Sequence, residues 1–206
     1  MANHEQLVTR GREIIQAAPQ LYFDADVEAD GIPGYGSLLS VGAVSPWGET
    51  YYTELRPSSD RYLEGNRAFC EAHDLNRERL MDEGQDPKKA MEELSDWVGD
   101  ITVTHDKTRA VFSAFNASFD FPWVDLAMKE ADVRNPFGIA GYCIKSLANQ
   151  LSPDYDWRET TKGRLPVEVV PDGDFTHNAL EDAIYQQKIH NALVGVLKLG
   201  YQTEIL

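Results

Sequence analysis

The chain has 206 residues, 42% of them hydrophobic and 26% charged, the balance of a soluble globular protein with length for one sizeable core. Acidic residues outnumber basic ones 34 to 19, and the formal net charge of −15 argues against sequence-independent binding along a duplex, which needs many Lys and Arg contacts to phosphates. Cys70 and Cys143 are the two cysteines and form no CxxC pair, which argues against a disulfide framework or a Cys-based zinc site and fits a reducing, cytoplasmic location.

No apolar run approaches the ~18 residues of a membrane span, so no membrane partner is expected. The polar start "MANHEQLVTRGREII" does not read as a signal peptide. Residues 1–18 read as an N-terminal arm or short helix, and residues 19–206 as a single domain without repeats or low-complexity segments. "LYFDADVE" reads as a strand on its aromatic content and bounding signals, and "GIPGYG" as a Gly/Pro turn. "SLLSVGAVS" is a buried strand, "PWG" a tight turn and "ETYYTELRP" the return strand of a hairpin. A helical stretch follows, roughly Asn66 to Glu83. In "DPKKAMEELSDWVGDI", Asp86 can cap a helix with Pro87 at its first position, and Met91, Leu94 and Val98 mark its apolar face. "RAVFSAFN" is a further buried strand, leading into a helix from about Phe119 to Ala131. "IKSLANQL" reads as helical. Residues 152–175 are irregular, with Pro153, Pro166, Pro171 and Gly173, and a last long helix runs from near Asn178 to about Leu199. Three meandering strands, then strands alternating with helices, predict an α/β mixed sheet.

The acids form a pattern of their own. Asp24, Asp26, Glu28 and Asp30 crowd one short run, although acids are depleted in strands. Asp26 and Glu28, two apart in a strand, share a face and call for a cation between them. Asp120 opens the helix after "RAVFSAFN". In "HNALED", Asn178 and Glu181 have capping-box spacing, so Asp182 falls in the first turn of the last helix and His177 in the loop before it.

"DVEADG", "FNASFD" and "HNALED" resemble the three motifs of the DEDDh 3′–5′ exonucleases, the family of ribonuclease T, oligoribonuclease and the proofreading subunits of DNA polymerases. The family pattern is Asp-x-Glu-x-(Thr/Asp)-Gly, then Asn-x-x-Phe-Asp, then His-x-x-x-x-Asp, and all three occur in order. The resemblance spans roughly residues 20–198. It implies a ribonuclease-H-like, mixed five-stranded sheet flanked by helices. It also implies metal ligation by Asp26, Glu28, Asp120 and Asp182, with His177 as general base. Two divalent cations, Mg2+ or Mn2+, would neutralise the acids, since hard cations take oxygen ligands. The implied substrate is single-stranded or 3′-end nucleic acid, DNA or RNA, released as nucleoside 5′-monophosphates. Asp30, Gly31, Asn116 and Phe119 fall at motif positions that would contact it. A homodimer is compatible with the resemblance, since several relatives dimerise.

Other readings stand beside this one. "FDADVE" also fits the Asp-x-Asp of haloacid-dehalogenase-type phosphatases, with Asp24 as nucleophile, but this leaves His177 and "FNASFD" without a role. A nucleic-acid-binding module without catalysis is a second alternative, against which the intact acids and histidine argue. Asp24 has no counterpart in the family and reads as structural. Asp30 is open between bracing a turn and touching substrate. Phe119 and Phe121, flanking Asp120, could stack on a base or belong to the core. Arg158, Lys162 and Arg164 read as a solvated basic loop or a phosphate contact. His4, His73, His105 and His190 read as structural or surface residues.

Overall fold

β1 (Leu21–Ala29) lies at the centre of a five-stranded sheet ordered β3-β2-β1-β4-β5. The computed structural model describes residues 3–151, 156–173 and 175–203; Pro153 lies outside them. β2 (Leu38–Val44) runs antiparallel to β1, and β3 (Thr50–Glu54) antiparallel to β2. β4 (Ala110–Ala114) and the two-residue β5 (Tyr142–Cys143) are parallel to β1. The mixed sheet expected from the sequence is therefore present.

Strand alternation divides β1 between two layers. Phe23, Ala25 and Val27 join a core with Phe112 and with α4 (Pro87–Thr104) and α5 (Ala117–Glu130). Met91, Leu94 and Val98 supply the α4 side, as their spacing predicts, and Asp86 caps the helix from N–H groups of Lys88 and Lys89. The other sheet face is covered by α7 (Ala179–Thr203), and α1 (His4–Ala17) packs along α7. A second core there joins Leu7 and Val8 to Ile189 and Leu193, with Ile144 and Ala148 from α6 (Ile144–Ala148). Asn3 and Gln6 close a capping box, so the N-terminal segment is a true helix. Where α1 crosses α7 the backbones touch: a Cβ on Gly11 would lie 1.7 Å from the Asn191 carbonyl oxygen.

Several boundaries differ from the sequence reading, α7 ending at Thr203 rather than about Leu199 and α4 at Thr104. The stretch expected as one helix is two, α2 (Glu64–Ala72) and α3 (Arg77–Glu83). Asp74 takes a left-handed φ of 65° between them, and Asn76 caps α3. α5 begins two residues earlier than expected because the turn is made at Asn116. No helix among the described residues is long and apolar enough to cross a membrane.

Gly42 ties this architecture to function. It pairs with Asp26 across β1 and β2, so both face α7. A Cβ on Gly42 would lie 2.2 Å from the Ala179 carbonyl carbon and from the Leu180 nitrogen. The absence of a side chain lets the first turn of α7 rest directly on the sheet. Gly42→Ala should push that turn outward, costing about 1–3 kcal/mol as overpacking does. Denaturant unfolding should show the loss, and the position of Asp182, which rides on the displaced turn, should shift with it.

Candidate active site

Tyr22, Asp24, Asp26 and Glu28 occupy the face of β1 turned toward α7. α7 meets them with Asp182, Gln186 and His190, spaced four apart and so on one stripe. Nδ1 of His190 lies 2.9 Å from Oδ1 of Asp24, which also accepts a hydrogen bond from the Ser113 hydroxyl at 2.7 Å. Gln186 donates to the Ala25 carbonyl at 2.5 Å and accepts the Phe115 N–H at 3.0 Å. That one amide fixes β1 to the end of β4, where the chain turns into α5. Asp24 is 1% exposed. It therefore has the structural role expected, and no substrate can reach it as the phosphatase reading requires.

Further along the same face the seam opens. Asp26, Glu28, Asp120, His177 and Asp182 line one cavity of about 480 Å³, together with Asn116 and Phe119. Asn116 adopts φ 76°, ψ 51°, a left-handed geometry that Asn tolerates better than most residues, and this sharp turn starts α5. Asp120, in the first turn, is buried and accepts the Val27 N–H at 3.3 Å, between the two acids of β1. Asn178 caps α7 by accepting from Leu180 and Glu181, as its spacing predicts. The Asp182 carboxylate accepts the N–H groups of Thr176 (3.0 Å) and His177 (3.2 Å). His177 is held at a left-handed φ of 58°, a cost tolerated where surroundings enforce it. Its ring packs edge-on against Phe69 and His73, at centroid distances of 4.6 and 4.4 Å. Ligand atoms of Glu28, His177 and Asp182 lie within 4.8 Å of one another.

The electrostatics match this crowding. Burial raises the Asp26 carboxyl to about 7; Lys162 lowers it and Asp182 raises it further. Burial, then Asp26 and Asp182, raise Glu28 to about 8. Burial, then Asp26, holds Asp120 well above the usual carboxylate range. Lys162 enters the cluster, its Nζ 3.8 Å from Oδ1 of Asp26, while burial pushes its own pKa down against the pull of the acids. Four converging carboxylates with hard oxygen donors, of which Asp26, Glu28 and Asp120 are raised by burial and by neighbouring charge, fit divalent metal ions.

Residues 22–194 match the family described as the 3′–5′ exoribonuclease Rv2179c-like domain. The chain belongs to this family. It is 34% identical over 173 residues to the 3′–5′ DNA exonuclease Cap18 of Escherichia coli, an alignment covering 82% of this chain and 89% of that protein. Among solved structures it is similar to the nuclease domain of 3′hExo, a DEDDh family member bound to rAMP, with a TM-score of 0.61 at 10% identity over 86% of this chain and 92% of that one. Pop2p of S. pombe in its Mg2+- and Mn2+-bound form gives 0.58 at 12%, covering 92% and 89%. E. coli Exonuclease I in complex with a dT13 oligonucleotide gives 0.57 at 11%, covering 87% of this chain and 40% of that larger one. The fold is ribonuclease-H-like, and the protein is a 3′–5′ exonuclease.

The exonuclease corrects several expectations drawn from its sequence. Asp30 and Gly31 do not line the cavity. Asp30 is fully buried, accepts the Ser37 N–H at 2.6 Å and is ion-paired with Arg77, which also donates to the Ser59 carbonyl. It braces the turn after β1. Gly31 is needed there because a Cβ would lie 2.1 Å from the Tyr35 carbonyl oxygen. Phe121 belongs to the core against Phe112. Of the basic loop only Lys162 turns inward; Arg158 is exposed, and exposed Arg164 pairs with Glu159. Phe69, His73, Phe115 and Phe175 were not singled out for the site. Phe115 and Phe175 could have been suspected from their closeness to Asn116 and His177 in the chain, Phe69 and His73 only from the fold.

The raised carboxyls make metal-free stability depend on pH in a defined direction. Asp26 takes up its proton near 7 in the folded protein, against 3.8 for the ordinary group. The folded state therefore binds more protons across that window, and the penalty for ionising Asp26, absent at low pH, is fully present above pH ~8. Asp26→Asn removes the penalty. In chelator, its melting temperature should exceed that of the unaltered protein by a margin that grows from pH 5 to pH 8. Calorimetry across that range checks this, and a constant margin would contradict the assignment.

Proposed function

We propose that the exonuclease hydrolyses the last phosphodiester of a single-stranded 3′ end, using two divalent cations held by Asp26, Glu28, Asp120 and Asp182, with His177 as general base. The observation that carries this reading is the convergence of all five side chains on one cavity from three distant segments of the chain. The Mg2+ and Mn2+ named for the Pop2p structure support the choice of cation. Such a cation pair, when bound, activates the attacking water and stabilises charge on phosphorus and on the departing 3′ oxygen.

The chain's own contributions follow from its geometry. Asp182 has two jobs: one carboxylate both faces the acids and, through the Thr176 and His177 N–H groups, fixes the loop that carries the base. His177 takes the proton of the attacking water on a ring nitrogen, while Phe69 and His73 limit where the ring can swing. Asn116 and Phe119 line the cavity beside the acids, and in this reading Phe119 stacks on the terminal base. The product is a nucleoside 5′-monophosphate, consistent with the rAMP named for the 3′hExo structure. The Cap18 relative favours DNA as substrate and the family description favours RNA.

His177→Ala should retain the fold and most of the Mn2+ affinity but lose about 10²–10⁴ in turnover, the usual share of general acid–base catalysis. Turnover near that of the unaltered protein, or a loss of Mn2+ binding equal to that of Asp26→Asn, would give His177 a different role. The charge of −15 predicts faster digestion of short single strands than of blunt duplex. Parallel assays on 3′-labelled DNA and RNA oligomers, single-stranded and duplex, measure this preference and the choice of sugar together.

A further inference from the structure

Lys162 is the cation that the folded chain itself delivers to the acid cluster. It sits in a short 3-10 turn, Lys162–Arg164, far in sequence from Asp26, yet its side chain is only 17% exposed and points into the cavity. Its Nζ stands 3.8 Å from Oδ1 of Asp26, close enough to pair charges but too far for a hydrogen bond. It is attracted by all four acids, Asp26, Asp182, Asp120 and Glu28. What guides it is aromatic: the ammonium lies 3.8 Å from the centroid of Phe175 and 5.7 Å from that of Phe115, both within cation–π range. A flexible four-carbon stem thus carries a positive charge to the acids, held by ring faces and by the field of the cluster, with no hydrogen bond to lock it among the described residues. Arg164, two residues on, is spent on Glu159 outside the cavity.

Such a group competes with a divalent ion for the same carboxylates and can leave without breaking a hydrogen bond to Asp26. We propose that Lys162 is an internal counter-ion of the exonuclease site. It holds the four acids together while no divalent cation is bound, withdraws as the cations enter, and then contacts a phosphate oxygen of the nucleic acid strand. This rests on the two-cation reading above. The withdrawal needs only rotation of the side chain, since Thr161, Lys162 and Gly163 form one wall of the cavity. The stem stays beside Phe175, and the ammonium remains where a phosphate next to the acids would lie.

The test is Lys162→Met, which keeps the length and loses the charge, beside Lys162→Arg. In chelator, Lys162→Met should melt several degrees below the unaltered protein, and in saturating Mn2+ the two should melt together. Titration calorimetry with Mn2+ alone should show about tenfold tighter binding by Lys162→Met, because no ammonium must be displaced. On a short single-stranded oligonucleotide at saturating Mn2+, its KM should rise about tenfold with a smaller change in kcat, and Lys162→Arg should recover most of the KM. Unchanged or weaker Mn2+ binding by Lys162→Met, with an unchanged melting temperature in chelator, would overturn the counter-ion role. Tighter Mn2+ binding with an unchanged KM would overturn the phosphate contact. Failure of the two-cation reading is distinguishable, because then the unaltered protein would bind no Mn2+ and Asp26→Asn would stay active.

Discussion

The structure depends on an ionisable seam between a central strand and a helix. β1 has a neighbour on each side in the sheet, yet turns a row of acids toward α7. Removing carboxylates from water costs several kcal/mol each unless partners replace the lost hydration. Along the seam those partners change step by step. Asp24 is satisfied by His190 and Ser113, and the Ala25 carbonyl by Gln186. Asp182 and Asp120 accept backbone N–H groups. Asp26 and Glu28 come last in the row, and there the supply of protein partners gives way to an open cavity and to Lys162. One face thus grades from a closed structural network into a site with unmet demand for positive charge. The two acids with the least hydrogen-bond support have carboxyls raised to about 7 and about 8.

Holding that gradient requires local geometry that ordinary residues resist. Gly42 lets α7 approach the sheet closely enough for its first turn to reach Asp26. Asn116 and His177 take left-handed backbone angles where the start of α5 and the loop before α7 meet at one cavity. Each such residue costs on the order of 1 kcal/mol or more, and the surrounding packing must enforce it. Two apolar cores, one on each face of the sheet, provide that packing. The strain at Asn116 and His177 lies at the cavity, and the packing that holds it lies elsewhere.

How much of this could be read from the sequence follows from how local each signal is. Asp26 and Glu28 were legible because the period of two in a strand fixes a shared face. Asp182 and His177 were legible because Asn178 and Glu181 mark a helix start between them. Asp120 could be placed because it follows a buried strand and begins a helix. The rest depended on contacts between distant segments. Asp30 was ambiguous because its partner Arg77 lies 47 positions away. Phe69 and His73 meet His177 only once α2 has folded beside the site. Lys162 looked like a member of a solvated basic loop because nothing in its neighbours indicates which of three cations turns inward. β5 was silent because two residues carry no periodicity.

The acidity of the whole chain then bears on how a polyanion is bound at all. A net charge of −15 repels phosphates on balance at long range. Under the two-cation reading, attraction must be generated at the site itself, by the bound metal ions, by the Lys162 ammonium and by the faces of Phe115, Phe119 and Phe175. All of these act within a few ångströms, so little binding energy is available along the body of a strand. Under the same reading, what would gain that energy is a chain end whose last nucleotide fits the cavity of about 480 Å³. Selection for free 3′ ends would then follow from the balance of charge: net negative for the chain as a whole, and attractive at the site where the bond would be cut.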